Sequence, residues 1–120
     1  MRDTGYEITE TIASVNSNAG EQYMIAPNNN EPKFPLGRVV ATPGALAALE
    51  ESAESASAFL RRHQGGDWGD VCEEDALANE EALQVALRIF SVYQTAKGVK
   101  IYVITEQDRS STCVLLPEEY

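Results

Sequence analysis

The sequence predicts an α+β domain: a short N-terminal strand, two or three helices, then a three-stranded antiparallel meander, with the helices on one face of the sheet. Three observations carry that expectation. Gly37–Thr42 (GRVVAT) is a β-branched run that ends in Thr42-Pro43, a strand followed at once by a helix start. Ala56, Phe59, Leu60 and His63 recur at helical spacing. Val99–Thr105 (VKIYVIT) is apolar on both alternating faces, the pattern of a central strand.

Residues 1–33 stand apart as an N-terminal arm or hairpin plus linker. Ile8–Val15 and Gln22–Ala26 are β-prone and flank the turn-rich Asn16–Gly20. Ile8, Ile12 and Val15 also suit one helix face, so both readings stand at this stage. The compact domain is expected over residues 34–120. Thr42 can accept from free helix N–H groups, and Pro43 fits the first helical position, where no N–H is missed. Leu46, Leu49 and Ala53 give this helix its apolar face.

A second helix is expected at 55–63, with Arg61 and Arg62 in the last turn, where cations suit the helix dipole, and Gly65-Gly66 as the stop. Asp67–Asp70 reads as a loop. A third helix is expected at 73–84, its carboxylates bunched in the first turn. Leu77, Ala78 and Ala82 form a weak apolar face, so this helix should pack at the edge of the core. Strands are expected at 85–95, 99–105 and 112–116, the first two joined by Thr95–Gly98, a link of hairpin length.

The 120 residues suffice for one core. The formal net charge of -10 keeps such a chain soluble and argues against direct binding to nucleic acid or anionic lipid. Cys72 and Cys113 form no Cys-x-x-Cys pair, so two reduced thiols are expected. No apolar run is long enough to span a membrane, and the first residues carry no apolar secretory segment. A cytoplasmic location follows as the expectation.

Three stretches, LGRVVATPGALAALEE, RRHQGGDWGDVCEED and ITEQDRSSTCVLLPEEY, resemble a family of small bacterial proteins borne on plasmids, phages and integrative elements. The resemblance covers residues 34–120. Its members are labelled plasmid-related, and sometimes a type I restriction subunit. It implies an accessory protein of a mobile element. A methyltransferase is not implied, because this chain lacks the glycine-rich cofactor loop. The element order is also similar to that of RelE/ParE-type toxins, an analogy of topology alone.

Gln64–Gln84 holds seven carboxylates and no Lys or Arg. Asp67, Asp70, Glu73, Glu74, Asp75, Glu80 and Glu81, with Trp68 as an apolar anchor, are therefore the expected docking surface for a protein with a basic face. The carboxylates would stand in for phosphates, as in an inhibitor of a nucleic-acid-handling defence enzyme. Arg109, Ser110 and Ser111 form a candidate anion site, since Arg offers a planar fork of donors. The alternative is a small enzyme or toxin that uses the His63–Asp70 and Arg109 loops, with His63 as acid or base. The acidic spacing fails the calcium-loop pattern, and His63, Cys72 and Cys113 are too dispersed for zinc. No metal, cofactor or assigned catalytic residue is expected. A homodimer through the arm remains open at this point.

Overall fold

Thr42 is where strand becomes helix. Its backbone is extended, and its hydroxyl accepts from the Ala45 amide at 3.2 Å. That contact satisfies one of the helix's free donors, while Pro43 forgoes one. A computed structural model describes Tyr6–Glu7 and residues 32–120 of the chain. The expected β-prone pieces at 8–15 and 22–26 lie outside the described residues.

The strands are β1 (Tyr6–Glu7), β2 (Arg38–Ala41), β3 (Ile89–Gln94), β4 (Lys100–Thr105) and β5 (Ser111–Leu115). The helices are α1 (Pro43–Glu51), α2 (Ala56–Gln64) and α3 (Glu73–Gln84), and a short 3-10 turn spans Pro117–Glu119. The class is α+β, as expected. The sheet, however, is mixed, and this corrects the expectation of an antiparallel meander alone. Its order is β1-β2-β5-β4-β3. β3 and β4, and β4 and β5, do pair antiparallel, but β2 lies parallel to β5, with Val39 opposite Thr112 and Ala41 opposite Val114. The helices between β2 and β3 supply the long crossover that a parallel pairing needs. β4 is not the middle strand, a place β5 takes, but it is interior, paired on both sides, and its side chains are apolar on both faces.

Residues 85–88 are not strand, again against expectation. They connect α3 to β3, and Val85 and Leu87 are exposed. The two preceding helices end alike. After α1 the Glu54 amide reaches the Leu49 carbonyl, with Ala53 in the left-handed region at φ 58°. After α2 the Asp67 amide reaches the Arg62 carbonyl, with Gly66 at φ 92°. Both are Schellman closures, in which glycine fits the left-handed position without strain and alanine does not.

The three helices among the described residues cover one sheet face. Val39, Ala41, Ile89, Tyr93, Ile101, Val103 and Val114 pack there against Leu49, Phe59, Leu60, Trp68 and Ala82. A second cluster, Ile104, Cys113 and Leu115 flanked by Val40, Phe90 and Tyr102, occupies the other face. The C-terminal turn is tied to α1. The Glu119 carboxylate accepts from both the Thr42 hydroxyl and the Leu116 amide, so it sits at the positive end of that helix.

Candidate functional site

The acidic face is carried by α3, whose expected bounds of 73–84 are those observed. Its rotational phase differs from expectation. The sequence pointed Leu77, Ala78 and Ala82 inward. The structure buries Asn79 and Ala82, while Leu77 is 63% exposed. The cause is a pair of polar bonds. Asn79 Nδ2 donates to the Phe90 carbonyl at 2.7 Å, and Asn79 Oδ1 accepts from the Phe90 amide at 3.0 Å. The side-chain amide thus substitutes for a neighbouring strand at the edge of β3. Two residues on, the loop before α3 does the same with backbone. The Asp70 amide bonds the Val92 carbonyl at 2.7 Å, and the Val92 amide bonds the Trp68 carbonyl at 3.1 Å. Gly69 permits that approach, since a Cβ there would strike the Val92 carbonyl oxygen. The β3 edge is therefore sealed against another strand.

The opposite side of α3 faces water. Glu73, Glu74 and Glu81 lie four and three residues before and four after Leu77, so they surround it on the helix surface. These three, with Asp70 and Asp75, are exposed, and Asp70 lies close enough to Arg62 to help hold its charge. The other two acids are engaged internally. Asp67 pairs with Arg62 at 2.7 Å and accepts from the Gly69 amide, contacts that hold its carboxyl below the ordinary range. Glu80 accepts from the Trp68 indole N–H at 2.9 Å. Trp68 itself is 6% exposed, between Phe34 and the edge of His63. It is a core residue with its polar tip satisfied, and the expected surface anchor is absent from the surface. Leu77 is the apolar group presented there instead. Its exposure is settled by the Asn79–Phe90 pairing, which only the tertiary fold reveals.

His63 is 0% exposed. Its ring sits in a buried chain of hydrogen bonds whose direction can be worked out from one end. Thr112 donates to the Leu36 carbonyl at 2.8 Å, so its oxygen must accept from Thr105, 2.7 Å away. Thr105 has then used its proton and accepts from His63 Nε2 at 2.9 Å. Nδ1 is left to accept from the Ser91 hydroxyl at 2.6 Å. The ring is neutral and protonated on Nε2. Burial, and secondarily the charge of Arg109, lowers its pKa to about 3. A group so sealed and so weakly basic meets no substrate.

Arg109 is committed as well. Nη1 donates to the carbonyls of Leu87 at 2.6 Å and of Glu106 and Gln107 at 3.2 Å, and Nη2 donates to the Ala82 carbonyl at 2.7 Å. It stitches the end of α3 to the turn before β5, satisfying a helix carbonyl that has no partner within α3. The Ser110 amide bonds the Asp108 carboxylate at 3.0 Å, and Ser111 opens β5. The structure thus separates the expected site residues into two groups. Glu73, Glu74, Asp75, Glu81 and Asp70 share the α3 side of the molecule, whereas His63 and Arg109 are joined to interior or backbone partners.

Cys72 is exposed and Cys113 buried, and the two are not joined in a disulfide. Among the described residues, no three His, Cys, Asp or Glu side chains gather as a metal ion would need, and no helix is long and apolar enough to cross a membrane. No family model, curated protein or solved structure matches this chain.

Proposed function

We propose that the chain is an acidic protein-binding module that docks the outward face of α3 on a basic surface of another protein. The observation that carries this reading is the arrangement on α3: Leu77 stands exposed amid Glu73, Glu74 and Glu81, with no cation in the helix. Carboxylates around an apolar centre suit a basic groove that contains an apolar pocket, the charges steering approach and the leucine adding buried area. Its partner is a nucleic-acid-handling enzyme, such as a restriction or CRISPR effector, whose phosphate-binding groove the carboxylates occupy. The setting is a bacterial mobile element, in line with the resemblance over residues 34–120. The enzyme or toxin alternative is weakened by the closed environment of His63 and by the carbonyl partners of Arg109.

A tagged full chain is passed over bacterial lysate at low and at high salt, and retained proteins are identified by mass spectrometry. The reading expects a nucleic-acid-handling protein at low salt that is lost at high salt, because exposed charge pairs are screened. A retained set indifferent to salt would contradict it.

A further inference from the structure

Arg109 stands at φ 60°, in the left-handed region where an L side chain is strained and glycine is not. A long side chain kept at such a position has to contribute more than the strain costs. Its partners show the contribution. They come from three separate segments: Ala82 in α3, Leu87 in the connector to β3, and Glu106 and Gln107 in the turn before β5. All four are backbone carbonyls. Phe34 adds an aromatic face, its ring centre 5.7 Å from the guanidinium carbon.

Each segment is placed by contacts that do not involve the Arg109 side chain. Asn79 pins α3 to Phe90. Ile89, paired with Thr105, fixes the end of the connector. The turn is closed by the Arg109 amide on the Glu106 carbonyl at 2.9 Å and by the Glu106 amide on the Ser111 carbonyl at 3.0 Å. It is also held to β2, where the Arg38 amide donates to the Ser110 carbonyl at 3.0 Å. The carbonyls therefore converge independently of the cation among them. They lie at the negative end of α3, beside Ala82, which is 0% exposed, so water competes poorly there. The shape required of an occupant follows. Nη1 serves the connector and the turn while Nη2 serves α3, so two nitrogens of one plane are needed. A guanidinium has them and an ammonium does not.

We propose that the carbonyls of Ala82, Leu87, Glu106 and Gln107, with the ring of Phe34, form a guanidinium-binding site. Arg109 fills it from within the chain, and a free guanidinium ion enters when that side chain is removed. Arg109 is thereby a positioning residue. Occupancy of the site holds the last turn of α3 and the connector, whose Val85 and Leu87 are exposed just beyond the acidic helix. The site stands whether or not α3 docks a partner, and only its bearing on docking rests on that reading.

The test uses the full chain with Arg109→Gly, which empties the site and relieves the left-handed position. Exchange of the Val85 amide, bonded to the Glu81 carbonyl at 3.1 Å, should quicken about tenfold or more over the natural chain, with α2 unchanged. Guanidinium chloride at low millimolar concentration should slow it again and raise the variant's melting temperature saturably, as binding to the folded state alone does. The natural chain, its site already filled, gains nothing from the same addition. Sodium chloride and methylammonium chloride should not substitute. Exchange in the variant equal to that of the natural chain, or no response to guanidinium, would overturn the proposal. So would an Arg109→Lys chain that behaves as the natural one. The nitrogen-15 spectrum of the arginine side chains needs no substitution. The Arg109 Nη groups should give separate signals, because the carbonyls hinder rotation of the guanidinium, and a single averaged signal would likewise overturn the proposal.

Discussion

α2 and α3 are consecutive helices built on opposite plans. α2 buries Ala56, Phe59, Leu60 and His63, so it is held by apolar area and by a hydrogen-bond chain that runs through the sheet. α3 is longer and buries only Asn79 and Ala82. It is held by directional polar bonds, from Asn79 to Phe90, from Trp68 to Glu80 and from Arg109 to Ala82. Apolar area fixes a helix by consuming its surface. A few polar bonds fix position and leave the rest of the surface available. The difference divides the surface, with α2 consumed by the body and α3 left with the exposed face that the proposed docking would use.

The sharpest probe of the α2 side is pH. His63 titrates near 6.5 when unfolded and at about 3 when folded. Between those values only the unfolded chain takes up the proton, so stability falls as pH drops through that window and is whole above it. The loss reaches about 4 kcal/mol by roughly pH 3.5. Asp67, lowered by Arg62, loses its own contribution only near and below the ordinary carboxylate range. Urea unfolding of the natural chain and of His63→Gln isolates the histidine, since the remaining carboxylates are common to both. Parallel pH profiles would show that His63 is not held neutral.

Two leucines then set the helices against each other. Leu60→Ala should cost about 3 kcal/mol, because Leu60 is fully buried. Leu77→Ala should change stability by no more than about 0.5 kcal/mol, read by the same denaturant midpoints. Equal costs would erase the distinction between the helices.

Asn79→Ala probes the α3 attachment itself. It leaves the Phe90 amide and carbonyl unpaired and should cost about 2 kcal/mol. Hydrogen exchange should quicken in α3 and at Phe90 more than in α2. Uniform quickening would mean that α3 is integral to the core.

These positions also show what a sequence can and cannot convey. Thr42-Pro43, the α2 stripe and the double-faced Val99–Thr105 are local signals, and each marked its element correctly. The bounds of α3 followed from its acidic first turn. The phase of α3 did not, because it depends on Asn79 meeting a strand edge 11 residues away. Nor did the parallel placement of β2 beside β5, which no local pattern encodes. Trp68 stood as a surface anchor in the sequence because its acidic neighbours are exposed. Its indole is buried because Phe34, far away in the chain, stacks on it. Among the expected site residues, the composition identified the carboxylates, while their sorting into free and engaged groups required Arg62 and Trp68 as tertiary partners.

The smallest expected effect compares the two helix ends. Ala53→Gly should stabilise by about 0.7 kcal/mol, because it gives α1 the left-handed glycine that α2 already has in Gly66. A thermal melt that falls instead would place the strain elsewhere.

The most direct measurement compares the natural chain with Glu73→Lys, Glu74→Lys and Glu81→Lys combined. Both are tested for retention of the salt-sensitive partner across a salt series, with melting temperature recorded beside it. The account predicts an unchanged fold, nearly unchanged melting and retention abolished at every salt concentration. Retention equal to that of the natural chain, by a variant that still folds, would contradict it.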